Sequence, residues 1–368
     1  MKIHMLPTGD EVHRYQKSIV IPFKNSRKVL STSPLNGGYR ENLLSAFNHD
    51  SNPGAGISCS LRTDSYLNDL KLLATEIGLD PATATGISTA ASMDNVAIKA
   101  VSYENLTVTA IVTGGVEVNG GRVGDPASYH EARGKTVMTK EGTINIILDI
   151  DADLLPGTLA RALVTCTEAK TAALQELMAG SSYSRGLATG SGTDGTIIIA
   201  NSQSDLKLTY AGKHSKLGEL IGLAVKPAVK EALFLQTGLS PKSQHSMLRR
   251  LKRFGITEDG IWNKHGVLGE KTLAKPVFIQ QLESVDREEE LVALTSLYVH
   301  LLDQMDWELI TPGRAAQEGR YLVERIKQKY QLDVEYTFSW QSAEETITGM
   351  LANFTDVIAR ISAGGPDV

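Results

Sequence analysis

Cysteine is nearly absent from this chain: it occurs twice in 368 residues, as Cys59 and Cys166, each in apolar or small-residue surroundings. That scarcity excludes a disulfide scaffold and fits free thiols in a reducing compartment. Long apolar runs are missing too. Nothing approaches the roughly 20 residues of a membrane span, and the opening MKIHMLPTGDEVHRYQKSIVIPF carries charges throughout, with no run of signal-peptide length. A cytoplasmic protein without a membrane span is expected. Positive charge is not in excess either; the net charge of −5 argues against a general nucleic-acid binder. HExxH and CxxC are absent and the eight histidines are scattered, so no metal site is expected. The P-loop, the strand–GxGxxG–helix order and GxSxG are also absent, which removes nucleotide-cradle and nucleophile-elbow readings. The sequence calls for no cofactor.

What is present is globular: 42% apolar and 21% charged residues, in a chain long enough for one large domain or two ordinary ones. KSIVIPF, RKVLSTS, ISCSL, VAIKAVSYENLTVTAIVTGG, TINIILDIDA and GTIIIANS have the β-branched content and length of strands. SYLNDLKLLATEIGL, PGTLARALVTCTEAKTAALQELMA and the stretch from Lys216 to Gln236 have helical apolar spacing. Pro227 predicts a kink in the last of these. The fold class expected is mixed α/β, a single large domain with a mixed sheet over residues 1–238. A basic, loop-like linker is expected at 239–276, then a mostly helical C-terminal region at 277–368.

Three polar, glycine-rich clusters punctuate the first part. STSPLNGGYREN brings Asn36, Gly37 and Arg40, with His49 shortly after; Asn36-Gly37 is a hairpin signal, while Arg40 and His49 add a fixed cation and a titratable base. TGGVEVNGGRVGDPAS, Thr113 to Ser128, brings Asn119, Arg122 and Asp125; its glycines allow close backbone approach, and Arg122 could clamp a carboxylate or phosphate. In GLATGSGTDGTIIIA, Thr189, Gly190, Gly192, Thr193 and Asp194 offer hydroxyls, a carboxylate and backbone N–H groups suited to an oxyanion. Between the clusters, TCTEAKTAA sets Glu168 and Lys170 in a helix of small residues, with Glu168 on Thr165's side. An exposed ion-pair face is the ordinary account of such charges; a general base is the other. His214 precedes a helix start with Ser215 as a plausible N-cap.

The order of these pieces, VLSTSPLNGG, GISTAASMDN, TGGVEVNGGRVGDPAS, GTINIILDIDADLLPGTLARALVTCTEAKTAALQEL, YSRGLATGSGTDGTIIIA and GKHSKLGELIG, resembles the CbiZ family of adenosylcobinamide amidohydrolases. The resemblance runs from about Val20 to Gln236 and leaves the region after Gly238 without a counterpart. It implies hydrolysis of the amide joining aminopropanol to the corrinoid ring, giving adenosylcobyric acid in cobamide (vitamin B12) salvage. The cobalt-containing corrinoid is then the substrate, and short polar groups such as Asn36, Asn119, Thr143, Asn145, Thr189 and Thr193 suit its peripheral amides. For the chemistry, Glu168 or Asp194 is the candidate general base, Lys170 or His214 an auxiliary cation or acid, and Thr193 or Thr143 the alternative covalent nucleophile. Two other readings stand beside this one: a corrinoid-binding protein without turnover, and an amidohydrolase or acyltransferase for another bulky amide.

Overall fold

The β-branched runs become strands, and the alternation of their side chains decides the layers. The computed structural model describes residues 1–54, 57, 60–127, 142–269, 273–337 and 342–364. The chain divides into two compact units, Met1–Ser240 and Pro241–Val368. From the N-terminus, β1 (Lys2–Met5), β2 (Glu11–Tyr15) and β3 (Ser18–Pro22) lead into the hairpin β4 (Arg27–Ser31) and β5 (Gly38–Arg40). Then come β6 (Ser45–Asp50), α1 (Tyr66–Glu76), β7 (Ala84–Thr89) and the hairpin β8 (Ala97–Tyr103) and β9 (Leu106–Gly114). The short β10 (Gly120–Gly121), β11 (Ile144–Ile150), β12 (Asp153–Leu154), α2 (Pro156–Glu176), β13 (Gly190–Ser191), β14 (Gly195–Asn201), β15 (Lys207–Leu208) and α3 (Lys216–Thr237) complete the first unit.

Its two large sheets are both mixed. One runs β1-β2-β3-β6-β7 and the other β5-β4-β14-β11-β9-β8. Within them, β6–β7 and β11–β14 pair in parallel and their other neighbours pair antiparallel. Strand side chains point alternately to opposite faces. Ile197 and Ile199 of β14, Ile147 of β11 and Ile111 of β9 therefore face the five-stranded sheet, where they meet Ile19 and Ile21 of β3. Their neighbours Ile198, Ile146, Leu148, Ala110 and Val112 face α2 and α3. On the far side of the five-stranded sheet, Val20, Phe47 and Ala84 pack against Leu70, Leu73 and Ala74 of α1. The result is four layers: α1, five strands, six strands, then α2 with α3.

The hairpin signal Asn36-Gly37 lies in the β4–β5 connection, with Asn36 at φ 49° and Gly38 at φ 73°. α3 runs unbroken through Pro227. Two strand expectations change. In ISCSL, Ser58 and Cys59 lie outside the described residues, and Ile57, Ser60 and Leu61 belong to no strand. Conversely β1, β2, β6 and β7 form without having been expected; SAFNHD has no β-branched residue and becomes a strand through burial between its neighbours and α1.

The second unit is helical: α4 (Met247–Leu251), α5 (Glu258–Leu268), α6 (Lys275–Asp286), α7 (Glu289–Asp306), α8 (Pro312–Lys329) and α9 (Ala343–Ser362). The stretch 239–276, expected as a linker, holds α4 and α5. Met247, Leu251, Phe254 and Ile261 from it belong to the same core as Phe278, Tyr298 and Phe354. Caps explain why so polar a segment folds: Ser246 accepts from the Arg249 N–H and Thr257 from the Gly260 N–H.

Candidate active site

Two of the three glycine clusters meet. β10 and β13 pair antiparallel, with Gly120 opposite Ser191 and Gly121 opposite Gly190, and the Thr189 N–H donates to Gly121 O at 2.8 Å. α2 holds this ribbon from one side: Thr171 Oγ1 donates to Thr189 O at 3.1 Å and Gln175 Nε2 to Ala188 O at 3.3 Å. Residues three and four apart share a helix face, so Thr167, Lys170 and Thr171 line the same wall. Between that wall and the ribbon lies a cleft of about 1040 Å³, at the end of the six-stranded sheet where β11 and β14 begin.

At the base of the cleft Lys170 forms an ion pair with Asp194. Lys170 is only 9% exposed although it sits on a helix of small residues, and its ammonium donates to Asp194 Oδ2. The carboxylate is held by more than charge. Asp194 Oδ1 accepts from the Ile144 N–H (2.8 Å) and from Ser191 Oγ (2.7 Å), and Oδ2 accepts from the Ser191 N–H (3.0 Å). Gly190 is what lets the pair pass so close to the backbone: a Cβ there would overlap the Asp194 carboxylate and the Lys170 ammonium.

The opposite wall is polar. The Arg122 N–H donates to Asp125 Oδ2 at 2.7 Å, Ser181 Oγ donates to the same oxygen at 2.6 Å, and Arg122 Nη1 reaches Leu187 O at 3.2 Å. Partial burial would raise Asp125, but hydrogen bonds from Ser181, Ser184 and Arg122 outweigh it and hold the carboxyl below the ordinary range. Tyr183 Oη donates to Asn119 Oδ1 at 2.6 Å, and Asn119 Nδ2 to Gly142 O at 2.9 Å. The Val123 N–H donates to Thr189 Oγ1 at 2.9 Å.

Of the residues singled out in the sequence, the cleft thus gathers Asn119, Arg122, Asp125, Lys170, Thr189, Gly190, Gly192 and Asp194. Thr193 stands at its rim, exposed, with Oγ1 donating to Gly142 O at 3.0 Å. Thr143 is buried beneath, its hydroxyl without a hydrogen-bond partner among the described residues. Ser128, the last residue of the second cluster, lies outside the described residues.

Several others lie elsewhere. Glu168 does share a helix side with Thr165, but that side turns to the 211–213 loop: Thr165 Oγ1 donates to Ala211 O at 2.8 Å and Glu168 pairs with Lys213 at 3.1 Å. His214 is exposed just ahead of α3, where Ser215 caps the helix by accepting from the Gly218 N–H. Asn36, Gly37 and Arg40 line a separate cavity of about 660 Å³. Asn36 Nδ2 is spent on Pro81 O and Ala84 O, at 2.8 and 2.7 Å. His49 hydrogen-bonds Ser18 Oγ through Nδ1 at 2.7 Å; burial, with help from Lys17 and Arg62, pushes it down to about 4. Asn145 is fully engaged between the sheets, donating to Asn48 Oδ1 (2.8 Å) and Ser88 O (3.0 Å) and accepting from the Gly195 N–H (3.0 Å).

Ser191 is the site residue the sequence did not disclose. A serine between two glycines reads as turn material; its hydroxyl reaches Asp194 within that turn, and the β10–β13 pairing sets the turn at the cleft. Cys166 is buried on α2, its thiol pushed up to about 12 by burial, which leaves it inert toward the cleft. Among the described residues no group of three or more His, Cys, Asp or Glu is placed to hold a metal ion, and no helix is long and apolar enough to cross a membrane.

Fold and cleft together define a four-layer α/β protein with a glycine-walled site on a largely buried Lys–Asp pair. The chain belongs to the CbiZ family, adenosylcobinamide amidohydrolase, whose sequence profile matches residues 3–241. The match ends where the first compact unit ends. A relative, the uncharacterized protein MJ1613 of Methanocaldococcus jannaschii, is 37% identical over 231 residues, 60% of this chain and 87% of that protein. Among solved structures, the PH0078 protein from Pyrococcus horikoshii is similar at 15% identity and a TM-score of 0.31, covering 70% of this chain and 90% of that one.

Proposed function

We propose that residues 1–240 hydrolyse the amide joining aminopropanol to the corrinoid ring of adenosylcobinamide, releasing adenosylcobyric acid, within the cleft between α2 and the β10–β13 ribbon. The observation that carries this reading is the Lys170–Asp194 pair on the floor of a glycine-lined cleft, in a chain of this family. Amide hydrolysis develops negative charge on the carbonyl oxygen and needs a proton on the departing nitrogen. Lys170 supplies a cation for the first, with N–H groups to spare beyond the one on Asp194. Asp194 accepts the proton of the attacking group and passes it on. Asn119, Arg122 and Thr189 offer the amide, guanidinium and hydroxyl groups that peripheral corrinoid amides hydrogen-bond, and Gly121, Gly190 and Gly192 leave clearance for a large flat substrate. Glu168 has no part, since it lies on the other side of α2.

The test is incubation of the purified protein with adenosylcobinamide and detection of adenosylcobyric acid by mass spectrometry. Product is expected. No product with a perturbed corrinoid absorption spectrum would replace the enzyme by a corrinoid-binding protein, and neither signal would sink the substrate assignment.

A further inference from the structure

We infer that Ser191 is the nucleophile and that the reaction proceeds through an acyl-enzyme on its Oγ. The inference rests on the amide-hydrolysis reading and adds a covalent step to it. Thr143 and Thr193 are the hydroxyls the sequence offers as nucleophiles, and Ser191 is the one that bonds Asp194. Thr143 is buried off the cleft, and Thr193 is exposed at the rim, its hydroxyl donating to Gly142 O and lying 3.4 Å from Ser191 Oγ without reaching Asp194. Ser191 alone of the three lines the cleft, and its Oγ donates to Asp194 Oδ1 at 2.7 Å while Lys170 holds Oδ2. This is the nucleophile–base–orienter relation that activates a weak nucleophile. The preceding glycine completes it: Gly190 admits the Lys–Asp pair, where a Cβ would overlap both groups. The Thr193 N–H reaches Ser191 Oγ at 3.3 Å and supports the oxygen as it loses its proton.

The step balances without a further reagent. Ser191 Oγ bonds to the amide carbonyl carbon and its proton passes to Asp194. The Lys170 ammonium faces the carbonyl oxygen as it becomes an oxyanion. The C–N bond then breaks, the proton moves from Asp194 to the departing nitrogen, and the amino alcohol leaves as the free amine. Water cleaves the resulting ester, which returns the Ser191 hydroxyl and releases the corrinoid carboxylic acid.

The experiment has two arms on the full chain. In the first, the protein is acid-quenched during turnover of adenosylcobinamide and its mass is read, with Ser191→Ala and Ser191→Cys alongside. An acyl adduct mapping to Ser191 is expected. Ser191→Ala should lose about 10³-fold or more in kcat, and Ser191→Cys should keep a detectable adduct as a thioester. In the second arm a fluorophosphonate, which reacts with activated serines whatever the natural substrate, is applied to the wild type and to Asp194→Asn. Labelling at Ser191 that is lost in Asp194→Asn is expected. Turnover by Ser191→Ala at wild-type rate would overturn the nucleophile while leaving the amidohydrolase reading intact. Fluorophosphonate labelling of Ser191 without turnover of adenosylcobinamide would support the nucleophile and sink that substrate. Absence of both adducts would overturn the covalent step outright.

Discussion

Asp149 sits on β11 with neither carboxyl oxygen bonded to any described residue, directly across from Thr109, whose hydroxyl is also unpartnered. Nearby, Asp10 and Arg27 form an ion pair at 2.8 Å that is itself fully buried between the sheets. Burial first, then the charge of Asp10, drive Asp149 up to about 8, with Arg27 opposing and Asp151 adding to the rise. A lone buried carboxylate costs more than a neutral acid, so the folded chain keeps the proton. The consequence for stability has a definite sign. Between the ordinary carboxyl value of 3.8 and about 8 the folded state binds a proton that the unfolded state has lost, so stability falls as pH rises through that window and levels off above it. Asp149→Asn removes this term. Its melting temperature should match the wild type near pH 4 and exceed it increasingly toward pH 8. A tenfold change in protonation is worth about 1.4 kcal/mol, so the gain at pH 8 is on the order of a few kcal/mol. Thermal melts of both proteins from pH 4 to 8 decide it; parallel curves would mean that Asp149 has an ordinary pKa.

At the scale of elements, the site depends on two residues of β10 pairing with two of β13. That ribbon is too short to be stable alone; α2 and the Asp194 bond to the head of β11 fix it. Gly190→Ala should therefore be far more damaging than its size suggests, because the added Cβ must part Lys170 from Asp194 or push the turn off the sheet. A loss of about 10²-fold in kcat is expected, in keeping with removal of one charge-stabilising group, with the overall fold retained by circular dichroism. Gly222→Ala in α3, where a Cβ meets nothing within 4 Å, serves as the control and should leave kcat unchanged. Equal activity in the two variants would remove the Lys–Asp pair from the reaction. The same elements show what was legible in the sequence. TINIILDIDA and GTIIIANS carry their strand character in β-branched residues, and TEAKTAA announced a helix with a charge in small surroundings. The contact of the second and third glycine clusters was not legible, since it depends on non-local pairing. Glu168 misled because spacing tells which residues share a helix side and not which side faces the cleft. Ser191 was hidden because it comes to stand beside Lys170 only when β13 pairs with β10 and packs on α2.

At the scale of the whole molecule, each compact unit has the means to stand alone. The three cores of the first unit draw on no residue beyond Leu239, and the helical unit builds its own core from Met247 onward. At 240 residues the first is large enough to bury a sufficient apolar core unaided. Every group lining the cleft, and every hydrogen bond described as holding it, lies within it, and the family match ends at residue 241. A chain ending at Ser240 should therefore fold and turn over adenosylcobinamide with kcat and KM within about threefold of the full chain, the spread expected when no interaction with the transition state is lost. Steady-state kinetics of the two proteins, each checked by a cooperative thermal melt, make the comparison. A folded but inactive 1–240 chain would assign the helical unit a part in catalysis or substrate capture. Raised KM with unchanged kcat would narrow that part to binding, because an interaction made equally in ground and transition states is lost from KM alone.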